Sequence, residues 1–350
     1  MIPQNFIRHK VRPDDTLTSL ARRINISEND LKEFHNQNCG KMNKLWVTNL
    51  RGIEVVLIPT RFITEEEYLV QQHKMLPTES YFANFHLNEY SIEECFEQPG
   101  KENLKFNYTI NLNIQKKNEN FVVNIDLKNF TKNGNIPDDK ISSLSLECMK
   151  SLYPISFQFS DNGIIDSCFE HQKVVEKFKS KRNDIEDFYI GEISKKYLDT
   201  FAQNISDGDY FLQQIQSNWM YQIIFPNLKW LHHKSFWKEK FIIYKNSFPI
   251  EFEFKNENQY EDIYRTQTIL TGKILENYSL RELLKGIQIE DEDPENFIEA
   301  EIEIRYFTDR ISQQLMEVKF SVSIWFQNEL FQKHNIHITQ NNDENLPHKT

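Results

Sequence analysis

The sequence predicts an α+β fold: a small βααβ unit, then antiparallel β-sheet hairpins with a helical insert. Three observations predict it. Between residues 8 and 60, two short extended runs bracket two stretches of helical periodicity. Farther along, alternating apolar runs arrive as neighbouring pairs joined by polar turns. Between two groups of such pairs lies a block with apolar spacing of three and four. Paired strands need only short turns, whereas a doubly wound parallel sheet places a helix between successive strands.

The 350 residues exceed one average domain and suffice for a large core. With 39% hydrophobic residues, 27 Phe and 14 Tyr, the composition is that of a folded chain. The formal charge of -11 weighs against a nucleic-acid partner, because a phosphate backbone would repel it. Residues 1–60 carry nine Lys/Arg against six Asp/Glu, a net of +3; the rest carries 32 against 46, a net of -14. The N-terminus shows no apolar run with a small-residue cleavage site, and no stretch is long enough to span a bilayer. Cytoplasmic location without membrane insertion is the expectation, with delivery by a secretion machine left open. Cys39, Cys95, Cys148 and Cys168 form no paired-ligand motif and read as free thiols.

In the first unit, His9–Arg12 reads as a strand and Pro13–Thr16 as a turn. Asp15 or Thr16 caps a helix carrying Leu17, Leu20, Ala21 and Ile24 inward. Asn25–Ser27 breaks it, and Ser27 caps a second helix with Leu31 and Phe34 on its inner face. Val55–Ile58 forms the closing strand, stopped by Pro59, which has no N–H to donate.

These residues, from Val11-Arg12-Pro13-Asp14-Asp15-Thr16-Leu17 through Leu31–Asn36 to Gly52 and Val56-Leu57-Ile58-Pro59, resemble the LysM family over residues 8–60. The resemblance implies a βααβ fold, no catalytic group and no cofactor. It also implies binding of N-acetylglucosamine-containing chains such as peptidoglycan or chitin. The implied groove lies between the first strand–helix turn and the loop before the last strand. Its candidate ligand-binding residues are Asp14, Asp15, Thr16, Leu50, Arg51, Gly52 and Ile53, with Trp46 as a stacking platform or a packing residue. Two departures fall on the rims: Asp14 stands where the family usually has Gly, and Cys39–Arg51 is longer than the usual connection. The family also occurs in phage tails and contractile injection systems. An adaptor or structural component of a secretion assembly, contacting a protein partner, is therefore the second reading.

Residues 61–102 read as a connector packed on the body, with a short helix at 65–70 and an aromatic, irregular stretch from 77 to 100. Residues 103–235 hold the hairpins Leu104–Ile114 with Phe121–Leu127, and Phe157–Ile165 turning at Gly163. The helical insert follows, with Val174, Val175, Phe178, Ile185, Phe188, Ile190, Ile193 and Leu198 on its apolar stripe. Ser206–Asp209 starts a further helix running through Trp219. Residues 236–340 read as mainly antiparallel β, with runs at Phe241–Tyr244, Ile250–Phe254, Tyr264–Lys273, Ile302–Tyr306 and Val318–Ile324. Residues 341–350 read as a polar, disordered tail.

No phosphate loop, dinucleotide fingerprint, zinc-protease motif or nucleophile elbow appears, so no enzyme is expected. A cell-wall hydrolase, its carboxylates meeting only in three dimensions, is the remaining alternative. His232-His233 reads as structural, since adjacent side chains diverge and zinc would need further ligands. Glu290-Asp291-Glu292-Asp293 lacks the spacing of a calcium loop and reads as solvated. Asp207-Gly208-Asp209 reads as a turn and cap, and no metal is expected.

Overall fold

A computed structural model describes residues 6–47, 49–60, 62, 64, 76–117, 120–245, 247–260, 264–289 and 294–341. The helix expected at 65–70, the acidic run at 290–293 and the tail from 342 lie outside these residues. The chain forms two compact units, Met1–Met75 and Leu76–Thr350.

The first unit runs β1 (Phe6–Lys10), α1 (Leu17–Arg23), α2 (Glu28–Asn38), a 3-10 turn (Lys41–Asn43) and β2 (Val55–Pro59). The two strands pair antiparallel, from Phe6 opposite Pro59 to Lys10 opposite Val55. β1 lies earlier than expected because Arg12 already belongs to the turn, where its carbonyl accepts from Asp15 N–H at 3.0 Å. Thr16 caps α1 with a reciprocal capping box to Ser19, and the Ser27 hydroxyl caps α2 through Asp30 N–H. Leu17, Leu20, Ala21, Ile24 and Leu31 pack with Leu45, Leu50, Val56 and Ile58 in one core. Phe34 is only half-buried. His35 takes the inward position beside it, because its ring nitrogens bridge two other elements.

The second unit contains β3 (Glu89–Glu97), β4 (Leu104–Lys117), β5 (Asn120–Lys132), α3 (Lys140–Leu152), β6 (Ile155–Phe159) and β7 (Ile165–Phe169). Four helices follow: α4 (His171–Phe188), α5 (Glu192–Ser206), α6 (Gly208–Ser217) and α7 (Trp219–Ile224). The chain then returns to β8 (Trp237–Phe241), β9 (Ile250–Gln259), β10 (Arg265–Ile274), α8 (Leu280–Lys285), β11 (Ile298–Asp309), β12 (Leu315–Phe326) and β13 (Glu329–Gln340). The strands make one 11-stranded antiparallel sheet in the order β7-β6-β5-β4-β3-β13-β12-β11-β10-β9-β8. Every neighbour except the β13–β3 pair is also a neighbour in strand sequence, as hairpin-rich patterning requires. Sheet and core run across residue 235, and β3 lies inside the stretch read as connector.

Alternation fixes which face is buried. In β11, Ile298, Ala300, Ile302, Ile304 and Tyr306 are buried, while Glu301, Glu303 and Arg305 face the other way and stay half-exposed. Burying one such aliphatic side chain stabilises by about 1.5–3 kcal/mol. Gly272, opposite Phe254 on β9, lets that ring lie over the strand: a Cβ there would stand 2.4 Å from Phe254 Cζ. The helix expected to run through Trp219 is two helices, because the Asn218 side chain accepts from Met220 N–H at 3.0 Å and restarts the chain as α7. α3 and α8 were not anticipated from the apolar pattern. Phe188, Ile190 and Ile193, read as apolar positions of the helical insert, are 79%, 76% and 76% exposed.

Candidate functional site

The antiparallel register of β1 and β2 determines where the two loops of the first unit emerge. Lys10 pairs with Val55, and Val11 N–H donates to Glu54 O at 2.9 Å, extending the ladder by one step. The turn after β1, residues 12–16, and the loop before β2, residues 50–53, therefore leave the same end of this sheet.

Within that end the expected site residues divide by environment. Asp15 is buried and fully engaged. Its Oδ2 accepts from His9 Nε2 and from Arg12 N–H, both at 2.9 Å, and its Oδ1 lies 3.2 Å from an Arg23 guanidinium nitrogen. The His9 hydrogen bond, then that from Arg12, hold its carboxyl below the usual value against the opposing effect of desolvation. Leu50 is a core residue. The Thr16 oxygen accepts from Ser19 N–H at 3.0 Å, so one lone pair serves the helix. Asp14 and Arg51 are exposed, Ile53 is half-buried, and Gly52 adopts φ +81 with open space where a side chain would stand.

The lengthened connection before β2 is held by side chains of α2. Asn36 donates to Leu45 O at 2.9 Å and accepts from Leu45 N–H at 2.7 Å. Lys32 Nζ donates to Trp46 O at 2.9 Å, and His35 Nε2 donates to Asn43 O at 2.8 Å. Leu45 is thereby drawn into the core, while Trp46 is 78% exposed. The anchoring role of Lys32, His35 and Asn36 was missed in the sequence. The only local signal was polar residues on both flanks of an inward helix position.

In the second unit the tempting pairs diverge. His232 donates to Pro77 O at 2.5 Å, whereas His233 stacks on Trp237 at 4.5 Å. Asp207 caps α6 by accepting from Tyr210 N–H at 3.0 Å. The four cysteines are free, and burial pushes the Cys148 thiol up to about 12. Among the described residues no group of three or more His, Cys, Asp or Glu is placed to hold a metal ion. No described helix is long and apolar enough to cross a membrane.

The LysM domain family model matches residues 9–35. No curated protein matches significantly. A solved structure described as lipid–protein interactions in lipovitellin is similar over 73% of this chain, at 10% identity and a TM-score of 0.33. The chain spans 24% of that structure's length, and likeness at that level does not identify a shared fold. Neither result bears on a secretion or phage-tail setting. The chain carries an N-terminal LysM domain of βααβ form, followed by a large antiparallel sheet with helical insertions.

Proposed function

We propose that this protein is a non-catalytic glycan-binding protein whose LysM domain recognises an N-acetylglucosamine-containing chain such as peptidoglycan. The observation that carries the reading is the β1–β2 register, which puts residues 12–16 and 50–53 at one end of the small sheet. In the LysM family the glycan lies between these two loops. Of the eight candidate residues, Asp14, Thr16, Trp46, Arg51, Gly52 and Ile53 are the ones available to a sugar. Gly52 leaves room for close backbone approach, Asp14 and Arg51 supply hydrogen-bonding groups, and Trp46 offers an aromatic face. Asp15 supports the turn, while Thr16 caps the helix and keeps its hydroxyl proton for a ligand.

The test is co-sedimentation of the intact protein with insoluble peptidoglycan, with N-acetylglucosamine oligomers as competitors. Saturable binding that the oligomers displace, without release of soluble fragments, supports the reading. Absence of binding at millimolar oligomer from a folded protein overturns it. Release of fragments overturns its non-catalytic part.

A further inference from the structure

In the small sheet of the first unit, β1 is paired on one side only. Lys10 stands opposite Val55, and one step farther Val11 N–H donates to Glu54 O at 2.9 Å. In an antiparallel ladder successive residues turn their N–H and C=O groups to opposite sides. Ile7, His9 and Val11 therefore bond towards β2, while Arg8 and Lys10 point theirs away from it. The partner strand has the matching phase: Leu57, opposite Arg8, turns its N–H away from β1 and donates to His35 Nδ1 at 3.0 Å. At Arg12 the outward N–H is taken by Asp15 Oδ2 at 2.9 Å. Among the described residues no backbone partner meets the outward groups of Arg8 and Lys10. Such an edge is a template for a further strand.

Two observations define what fits there. A groove of about 610 Å³ follows the edge, lined by residues 7–13 with Ile58 and Phe62. Its described lining carries Arg8, His9, Lys10 and Arg12 and no carboxylate. Arg8, Lys10 and Arg12 are exposed. The neighbouring carboxylates of Asp14, Asp15 and Glu54 stand at the Arg12 end, and Asp15 is already engaged by His9 and Arg23. The second observation is the alternation of β1. Arg8 and Lys10 project to one face of the strand, and Ile7, which is 50% exposed, projects to the other. Side chains directly opposite on paired strands meet on the same face. A strand with Asp or Glu opposite Arg8 and Lys10, and apolar residues between them, matches both faces. A second copy of β1 would bring its own cations against these, and like charges directly opposite are destabilising.

We propose that the open edge of β1 docks an extended acidic segment of a partner protein, added antiparallel as a third strand of the small sheet, its carboxylates opposite Arg8 and Lys10. This contact uses the strand edge and is separate from the glycan reading, which uses the loops.

The test titrates the intact protein with a synthetic peptide of about eight residues, the length of an ordinary strand, alternating Glu and Val. Its Lys–Val counterpart and two N-methylated forms, one blocked at the Glu amides and one at the Val amides, are measured alongside. The Glu–Val peptide is expected to bind saturably and the Lys–Val peptide not to bind. In antiparallel pairing the residue opposite Arg8 or Lys10 turns its own N–H inward. Methylation of the Glu amides should therefore weaken binding at least about tenfold, the effect of two lost hydrogen bonds, and methylation of the Val amides should not. The R8E/K10E variant should lose the Glu–Val peptide and gain the Lys–Val one. Both replaced side chains are exposed, so its melting temperature should be unchanged. The methylated peptides carry the test on the wild type even if that variant fails to fold. No saturable binding overturns the proposal, as does equal binding by wild type and folded variant, which places the peptide elsewhere. Equal weakening by the two methylated forms shows that charge alone holds the peptide and overturns it, and so does weakening by the Val-blocked form alone. Concentration-dependent dimerisation abolished in R8E/K10E assigns the edge to a second copy and equally overturns it.

Discussion

His334 Nε2 lies 3.2 Å from Glu94 Oε2, joining β13 to β3 across 240 residues of sequence. Glu94 also accepts from the Tyr108 hydroxyl, and the His334 ring stacks on Phe96 at 3.9 Å between centroids. These contacts sit where the two halves of the sheet meet, on the face that buries Ile92, Ile336 and Ile338. Replacing His334 with Ala removes the stacking and one of the carboxylate's two partners. A loss of about 2–4 kcal/mol is expected in denaturant unfolding of the second unit. The triple variant E94L/Y108F/H334L, which removes the charge together with both its partners, should be more stable than H334A. If it is less stable, the pair is not the source of the effect.

In the LysM domain, His35 Nδ1 accepts from Leu57 N–H at 3.0 Å while Nε2 donates to Asn43 O, tying α2 to β2 and to the 3-10 turn. His35 is 1% exposed. His35→Leu keeps the volume but leaves Leu57 N–H unsatisfied. A loss of about 1–3 kcal/mol in the unfolding of this unit is expected, read by denaturant titration. An unchanged midpoint would show that the bridge contributes nothing.

Asp15 gives the same unit a dependence on acid. Its folded-state pKa lies below the ordinary 3.8, chiefly through the His9 hydrogen bond. The stabilisation is therefore fully present above about pH 4 and is lost as pH falls through the folded-state value. Asp15→Asn should lower stability at pH 7 and shrink the difference from wild type as pH is lowered through that window. Parallel stability curves for the two proteins at all pH values would contradict the assignment.

His86 gives the second unit a different window. It is buried among Phe85, Phe159 and Phe225, accepts from the Tyr81 hydroxyl at 2.8 Å and donates to Ile224 O at 2.6 Å. Desolvation pushes its pKa down to about 4 from 6.5. The unfolded chain thus binds the proton first as pH falls, and stability declines between about pH 6.5 and 4. The full decline attributable to this group is roughly 3 kcal/mol. His86→Gln should flatten that slope in unfolding curves recorded at successive pH values; an unchanged slope would assign it to other groups.

On the proposed sugar site, Trp46→Ala should weaken glycan binding about fivefold, the effect of losing roughly 1 kcal/mol of stacking, with no change in melting temperature. Asp14→Gly should strengthen binding by removing bulk and charge from the rim. Titration with N-acetylglucosamine oligomers checks both. Weaker binding by the Asp14→Gly variant would instead make Asp14 a ligand-contacting residue.

The sequence by itself determined the features set by neighbours in the chain. Thr16 and Ser27 announce helix starts, Pro59 announces a strand end, and the β4–β5 and β11–β12 hairpins follow from unbroken alternation over short turns. Turn chemistry and side-chain period act within a few residues, so they are legible locally. Only the tertiary structure decided the features in which a residue's environment comes from far away. β3 and β13 were hidden because Glu94 and His334 occupy inward positions and interrupt the apolar alternation, each becoming acceptable inside through the other. His35 was hidden for the same reason: a polar side chain is tolerated in the core when its hydrogen bonds close there. Asp15 carries the carboxylate expected at a sugar, but His9, Arg12 and Arg23 occupy it first. Phe188, Ile190 and Ile193 read as apolar positions of the helical insert, yet they fall at the corner between two helices. There the chain turns before any layer of its own can cover them.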